Sequence, residues 1–234
     1  MASTHAPSEA LLYAKEFIKN GRVDDADVAY QILDEVNKEI WYRAPWSWTV
    51  AQGTTQTIVV GTADYSLNTP SSYEYIYRAH LVSAGGMNKP LKIESILPSD
   101  SIKTGETLSI SYTEGSPGTF RVYPKPPTAI TSGTQSIVWF YKKTAPEITS
   151  SNYTNAGVHL LPDRWWHVYK AGVLAKALAY ADDDRSLQIK VNPKDKTVEL
   201  GGWYGYFHYL LNEMAFKEPM QYEWDTRIEN QGDR

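Results

Sequence analysis

Three residues of the segment 159–167 have side chains of the kind that bind metals or move protons: His159, Asp163 and His167. Asp163 and His167 stand four residues apart, which places them on one face of a helix with His159 just upstream. An imidazole–carboxylate–imidazole set can hold a divalent cation or run acid–base chemistry. The same spacing is that of a capping turn followed by a surface pair, and this plainer reading fits it better. His5, His80 and His208 are scattered elsewhere. No HExxH pair and no phosphate-binding glycine loop occurs. GSPG at 115–118 sets a serine between glycines, but Pro117 follows it, so it reads as a turn rather than a nucleophile elbow. Asp182, Asp183 and Asp184 read as a solvated loop, with a basic patch on a neighbour as the alternative. Asn152-Tyr153-Thr154 matches a glycosylation sequon, which carries no meaning without a secretory signal. The chain has no cysteine, which excludes disulfides, thiolate metal sites and a cysteine nucleophile. No catalytic residue, metal ligand or cofactor is assigned.

The other conspicuous side chains are aromatic. WYRAPWSW, residues 41–48, carries three tryptophans where a helical pattern gives way to a strand pattern. Trp41 extends the helix, and Trp46 and Trp48 alternate as in a strand with Ser47 opposite. The functional reading is a platform for glycan or bases, but only Arg43 is near enough to help. The structural reading is a pin of Trp41, Trp46 and Trp48 at the boundary of two modules, each buried ring stabilising by about 2–3 kcal/mol. On that reading Trp48→Ala is expected to cost about 3–5 kcal/mol.

The elements around these residues follow from periodicity. SEALLYAKEFIKN, 8–20, reads as a helix with Ser8 as cap, Glu9 in the first turn and Gly21 just past the end. A second helix covers about 24–43, with Asp24 as cap and Val28, Ile32, Val36 and Ile40 as its stripe. Pro45 stops it. The period then becomes two. Strands are expected at 54–60, 63–67, 73–83, 91–96, 107–115, 119–124 and 135–144. In 73–83, Tyr73, Tyr75, Tyr77, Ala79 and Leu81 alternate onto one face. Helix returns at 162–181, with Pro162 in its first turn and small residues that keep it thin. A last helix is expected from Asn192 to about Lys217, although Gly201, Gly202 and Gly205 weaken its middle.

This order predicts an α+β fold. An α-helical bundle forms from the N- and C-terminal helices, with an inserted antiparallel β-sandwich or barrel. The corresponding domains are 1–48, 49–150 and 151–217, followed by an arm at 218–234. The 234 residues include 17 Tyr and 8 Trp against 5 Phe. Composition leaves open whether that surplus serves wet interfaces or a tyrosine-rich core. Lys plus Arg is 23 and Asp plus Glu is 27, a net charge of −4 with no basic stripe, so tight DNA binding is not expected. The start has no signal-peptide pattern and no apolar run reaches membrane-spanning length, so no membrane association is expected.

Several motifs in order resemble one family. A helix ending in W-x-W, a threonine-rich strand and GTADYSL come first. FRVYPKPP, VWFYKKTAPEIT and LLPDRWWHVYKAGVLAKALAYADDD follow. Together, over about residues 24–217, they resemble the head-to-tail adaptor (connector) proteins of tailed, short-tailed bacteriophages. The glycines near 201–205 depart from the regular helix of that pattern. The resemblance implies a virion protein of the neck, assembled in the bacterial host cytoplasm. Such proteins form a dodecameric ring of identical copies beneath the portal protein, bind tail or nozzle proteins, and let genomic DNA pass without specific contacts. It also implies a portal-binding arm, with Pro219, Met220, Tyr222, Trp224 and Ile228 as its anchors. Two other functions compete: a virion-associated peptidoglycan hydrolase, which needs a cleft with perturbed carboxylates, and a glycan-binding β-module using the tyrosines of 73–77.

Overall fold

The structure is a computed structural model of the chain, and it describes residues 3–18, 26–66, 73–83, 88–94, 107, 109–113, 119–126, 135–191 and 198–218. The fold is mixed α+β, with four α-helices among the described residues and a curled sheet. The chain divides into two compact units, residues 1–49 with 145–234, and residues 50–144.

The helical unit is built on α3 (Trp166–Tyr180), against which α1 (Pro7–Phe17), α2 (Ala26–Arg43) and α4 (Gly202–Lys217) all pack. α3 buries residues on every side, from Trp166 through Leu174 to Leu178, as a central helix must. The stripe Ile32, Val36 and Ile40 of α2 shares one core with Leu174 and Leu178 of α3 and with Phe207, Leu211 and Met214 of α4. Gly172 is where the three helices meet. A Cβ there would stand 2.6 Å from Val36 Cγ1 and 2.8 Å from Phe207 Cε2. Buried polar tips are matched: Tyr169 Oη donates to the Leu33 carbonyl at 2.9 Å and Ser186 Oγ to the Ala175 carbonyl at 2.9 Å.

The helix ends differ from the sequence expectation in ways with plain causes. α1 is capped at Ala6, not Ser8, because Pro7 occupies the first turn and the Glu9 carboxylate accepts the Ala6 N–H at 3.2 Å. Gly21 and Asp24 lie outside the described residues. Pro162 precedes a 3-10 turn, Asp163–Trp165, and α3 starts only at Trp166. α3 ends at Tyr180, with Asp182 in the left-handed region at φ 53°. Its Asp183 N–H reaches back to the Leu178 carbonyl at 3.0 Å.

The expected helix 192–217 is corrected. A two-stranded hairpin comes first, β9 (Gln188–Val191) with β10 (Val198–Gly201), and α4 begins only at Gly202. Gly202 has φ 71°, and a Cβ on it would lie 2.7 Å from the Arg185 carbonyl oxygen. That tight passage lets the Trp203 and Tyr204 N–H groups bond the carbonyls of Arg185 and Ser186, at 2.9 and 2.8 Å. Gly201 and Gly202 mark a hairpin exit, and Gly205 alone lies in the interior of α4.

The β unit is one sheet in the order β1-β8-β4-β5-β6-β7-β3, with β2 also on β8. Its strands are β1 (Val50–Gln52), β2 (Gln56–Thr57), β3 (Asp64–Ser66), β4 (Tyr73–Ser83), β5 (Asn88–Ile93), β6 (Ser109–Thr113), β7 (Thr119–Tyr123) and β8 (Gln135–Lys143). Tyr65 of β3 at one edge and Trp139 of β8 towards the other belong to the same core cluster, so the sheet curls around it. The expected antiparallel sandwich or barrel is corrected to this curled sheet, in which β5 and β6 run parallel. The expected alternation in β4 also fails. Register shifts against β8 fall between Tyr73 and Tyr75 and between Ile76 and Arg78, and the buried residues are Ile76, Ala79 and Leu81. Tyr73, Tyr75 and Tyr77 are half-buried and present no open tyrosine face.

The tryptophan segment belongs to the helical unit. Trp41 is buried in α2, and Trp46 is fully buried with its Nε1 donating to the Ile40 carbonyl at 2.6 Å. Residues 47–49 form a turn rather than a strand, and it stacks Trp48 on Trp46 with centroids 5.4 Å apart and planes 2° from parallel.

Two outcomes in denaturant unfolding check this packing. Alanine is the better helix former by about 1 kcal/mol, yet Gly172→Ala is expected to destabilise by about 1–3 kcal/mol because α2 and α4 must move apart. Trp46→Ala is expected to lose about 3–5 kcal/mol, and the half-exposed Trp48→Ala less. Equal losses at the two tryptophans would contradict the burial difference.

Candidate functional site

The three residues with metal-binding chemistry do not converge. His159 is 1% exposed, and its ring lies parallel to Trp166 and to Tyr169, each with centroids 5.3 Å away. Both ring nitrogens are occupied: the Leu161 N–H donates to Nδ1 at 3.1 Å, and Nε2 donates to the His5 carbonyl at 3.2 Å. Burial pushes its pKa down to about 4. Asp163 turns towards the N-terminal segment. It accepts the Thr4 N–H at 2.9 Å, Ser3 Oγ at 2.8 Å and Thr4 Oγ1 at 3.1 Å. The Thr4 backbone bond, then Ser3, holds its carboxyl below the usual range. His167 tilts against Trp165 instead. Among the described residues no group of three His, Asp or Glu is placed to hold a metal. What these residues build is a clasp: His5 stacks on Trp166 at 4.7 Å, and segment 3–9 is tied down onto the turn region 153–163.

The remaining candidates are also engaged within the fold. Asp183 takes Arg185 in a two-point pair at 2.9 and 2.6 Å, which lowers its pKa to about 2. Asn152 of the sequon donates to the Glu147 carbonyl at 2.8 Å. GSPG lies outside the described residues, as do the arm residues Pro219, Met220, Tyr222, Trp224 and Ile228.

The feature that sequence reasoning missed is the outer side of α4. This helix buries Phe207, Leu210, Leu211 and Met214. Its other side exposes Tyr206, Tyr209 at 63% and Phe216 at 96%. With Glu213, the positions 206, 209, 213 and 216 step by three and four residues, the spacing of a seam that meets another helix. The signal was in the sequence, but a helix drawn from 192 hides it among the glycines. Near the start of α4, Trp203 and Tyr206 line a hollow of 480 Å³ with Arg185 and Gln188. Leu187 beside it and Leu12 on α1 are further exposed apolar side chains of the unit. Between the seam and α2 runs a polar ladder. Glu39 receives Tyr204 Oη at 3.3 Å, and His208 Nε2 and Lys176 Nζ stand 3.4 and 3.5 Å away. No described helix is long and apolar enough to cross a membrane.

A family model described as SU10 adaptor protein matches residues 9–225, nearly the whole chain and both units. No curated protein matches it.

The clasp has a pH signature. The folded state keeps His159 neutral with a pKa near 4, whereas an unfolded histidine titrates near 6.5. The unfolded chain therefore binds the proton first as pH falls. The contribution is complete above about pH 6.5 and is lost towards pH 4, by about 2 kcal/mol between pH 7 and pH 5. Urea midpoints at the two pH values measure it, and His159→Phe should remove most of the difference.

Proposed function

The chain belongs to the SU10 adaptor protein family, which makes it a phage head-to-tail adaptor, and from that premise we propose how it works. It is a structural subunit of the virion neck, without turnover, that associates with the portal and the tail. Identical copies form a ring, dodecameric by analogy, beneath the portal vertex, and this ring extends the DNA channel and anchors the tail. Residues 219–234 act as the portal-binding arm through Pro219, Met220, Tyr222, Trp224 and Ile228. The β unit faces tail or nozzle proteins. Trp41, Trp46 and Trp48 fix the point where the chain leaves the helical unit for the β unit. Assembly takes place in the host cytoplasm.

The observation that carries this reading beyond family membership is the open aromatic seam of α4. A helix with one apolar side buried and a second one exposed is built for a partner. A closed ring uses two different faces of each subunit, so a seam on one side must meet something else on the next copy. The seam supplies one such face, and the exposed apolar residues of α1 offer a second. The net charge of −4 suits a channel through which DNA slides without being gripped.

Two variants test the two contacts separately. Tyr209→Ala with Phe216→Ala should keep the monomer's stability within about 0.5 kcal/mol, since both side chains are exposed, and should block self-association in mass measurements made with a portal ring present. Deleting residues 219–234 should leave the fold intact and abolish portal docking. A deletion variant that docks normally rules out the arm.

A further inference from the structure

Glu218 is an anomaly at the end of α4. A carboxylate at a helix C-terminus is opposed by the helix dipole, and a buried charge is costly unless fully partnered. Yet the Glu218 side chain is only 3% exposed, while its partner Arg164 is 62% exposed. Both come together through the fold: the turn that opens α3 delivers Arg164 and Trp165, and the last turn of α4 delivers Glu218. One oxygen, Oε1, receives two hydrogen bonds and an ion-pair contact. Arg164 Nε donates to it at 2.7 Å and Trp165 Nε1 at 2.5 Å, and Arg164 Nη2 stands 2.5 Å away as its ion-pair partner. The other oxygen, Oε2, is buried with no hydrogen-bond partner among the described residues. The Glu218 N–H closes the helix on the Met214 carbonyl at 2.9 Å, and the residue itself is extended. His167, Glu213 and Lys217 border the same cleft.

A buried carboxylate with one oxygen lacking a protein donor adds little to stability by itself. An apolar residue of similar volume fills such a site at least as well. What the arrangement supplies instead is position. Arg164 and Trp165, from one rigid turn, converge on one oxygen, so Glu218 has one position on the helical unit. We propose that Glu218 is a positioning residue. It fastens the end of α4 to the start of α3, so that the point from which the chain continues to 219–234 is fixed on the helical unit. The inference rests on the reading of that segment as the portal-binding arm. A tethered arm docks with less loss of conformational freedom than one swinging from a frayed helix end.

The experiment measures affinity for the portal ring of the same virus, using full-length protein. Glu218→Ala should weaken docking about tenfold, while circular dichroism shows the helical unit folded at the assay temperature. Arg164→Ala, a change at an exposed side chain, should weaken it comparably. The double variant should be no worse than either single one, because both break the same link. Glu218→Gln keeps an acceptor for Trp165 and Arg164 and should recover most of the affinity. A merely stabilising role would shift the melting temperature and leave affinity unchanged. The inference is overturned if Glu218→Ala and Arg164→Ala bind within twofold of wild type while the 219–234 deletion does not bind. If the deletion binds as well as wild type, it is the arm reading that fails.

Discussion

The helical unit turns on a hydrogen atom where any other residue would put a methyl group. At Gly172, Val36 of α2 and Phe207 of α4 both press on the backbone of α3. These two helices lie on opposite sides of the β unit in sequence, so this crossing joins what the chain order separates. Packing energy falls off within an ångström or so of optimal contact. A larger residue at 172 therefore pushes outward the two halves of the core at once. The rest of the helical unit relies on that closeness. The Tyr169 bond to Leu33, the Glu39 ladder and the Trp165–Glu218 link all span helices whose spacing the glycine sets.

How much of this was legible in the sequence depended on whether a local rule governed it. α2 and α3 were readable because period and composition agree: a four-residue apolar repeat in one, small and aromatic residues on all sides in the other. The strands were readable as short β-branched and aromatic runs. Sheet curl, the parallel β5–β6 pairing and the β4 bulges were not, because they depend on partners far away in sequence. The hairpin before α4 was half visible. Glycines at 201, 202 and 205 contradict a helix interior, but only the φ of 71° at Gly202 tells that one of them is a turn. For the candidate site, the spacing of Asp163 and His167 suggests a surface pair, but Asp163 turns to Ser3 and Thr4 and His167 to Trp165. The burial of His159 was not foreseeable, since it follows from Trp166 and Tyr169 closing over it from α3 and segment 3–9 closing from elsewhere. The Phe216 face became readable only once the helix start was moved to Gly202.

Part of the surplus of Tyr and Trp over Phe is core chemistry: five tryptophans are buried, but among the described tyrosines only Tyr65, Tyr141 and Tyr169. Trp46, Trp139, Trp165 and Tyr169 are buried, and each polar tip has an acceptor: Ile40 O, Thr54 O, Glu218 Oε1 and Leu33 O. A ring with a polar tip fills volume as Phe does and also fixes one orientation, because turning it strands the N–H or O–H. Tyr65 does the same in the β unit, where its hydroxyl holds the Val59–Thr62 loop. The elements of such a core are registered by directional bonds as well as by contact area.

That division of labour explains why the exposed aromatics stand out. If tyrosine served this chain mainly as a wet surface, Tyr206 and Tyr209 would be unremarkable and Phe216 would be the wrong residue. Phe has no polar tip, so at 96% exposure it gains nothing from water and is left almost uncovered by the described residues. The ion pairs nearby do not offset this, because Lys217 with Glu213 is a surface pair worth little in salt. The outer face of α4 is therefore where the described residues leave most aromatic surface uncovered. It lies on the same helix whose inner face closes the core over Gly172 and whose last turn carries Glu218. One helix thus carries part of the core, an exposed aromatic face and the Glu218 link, so displacing it disturbs all three.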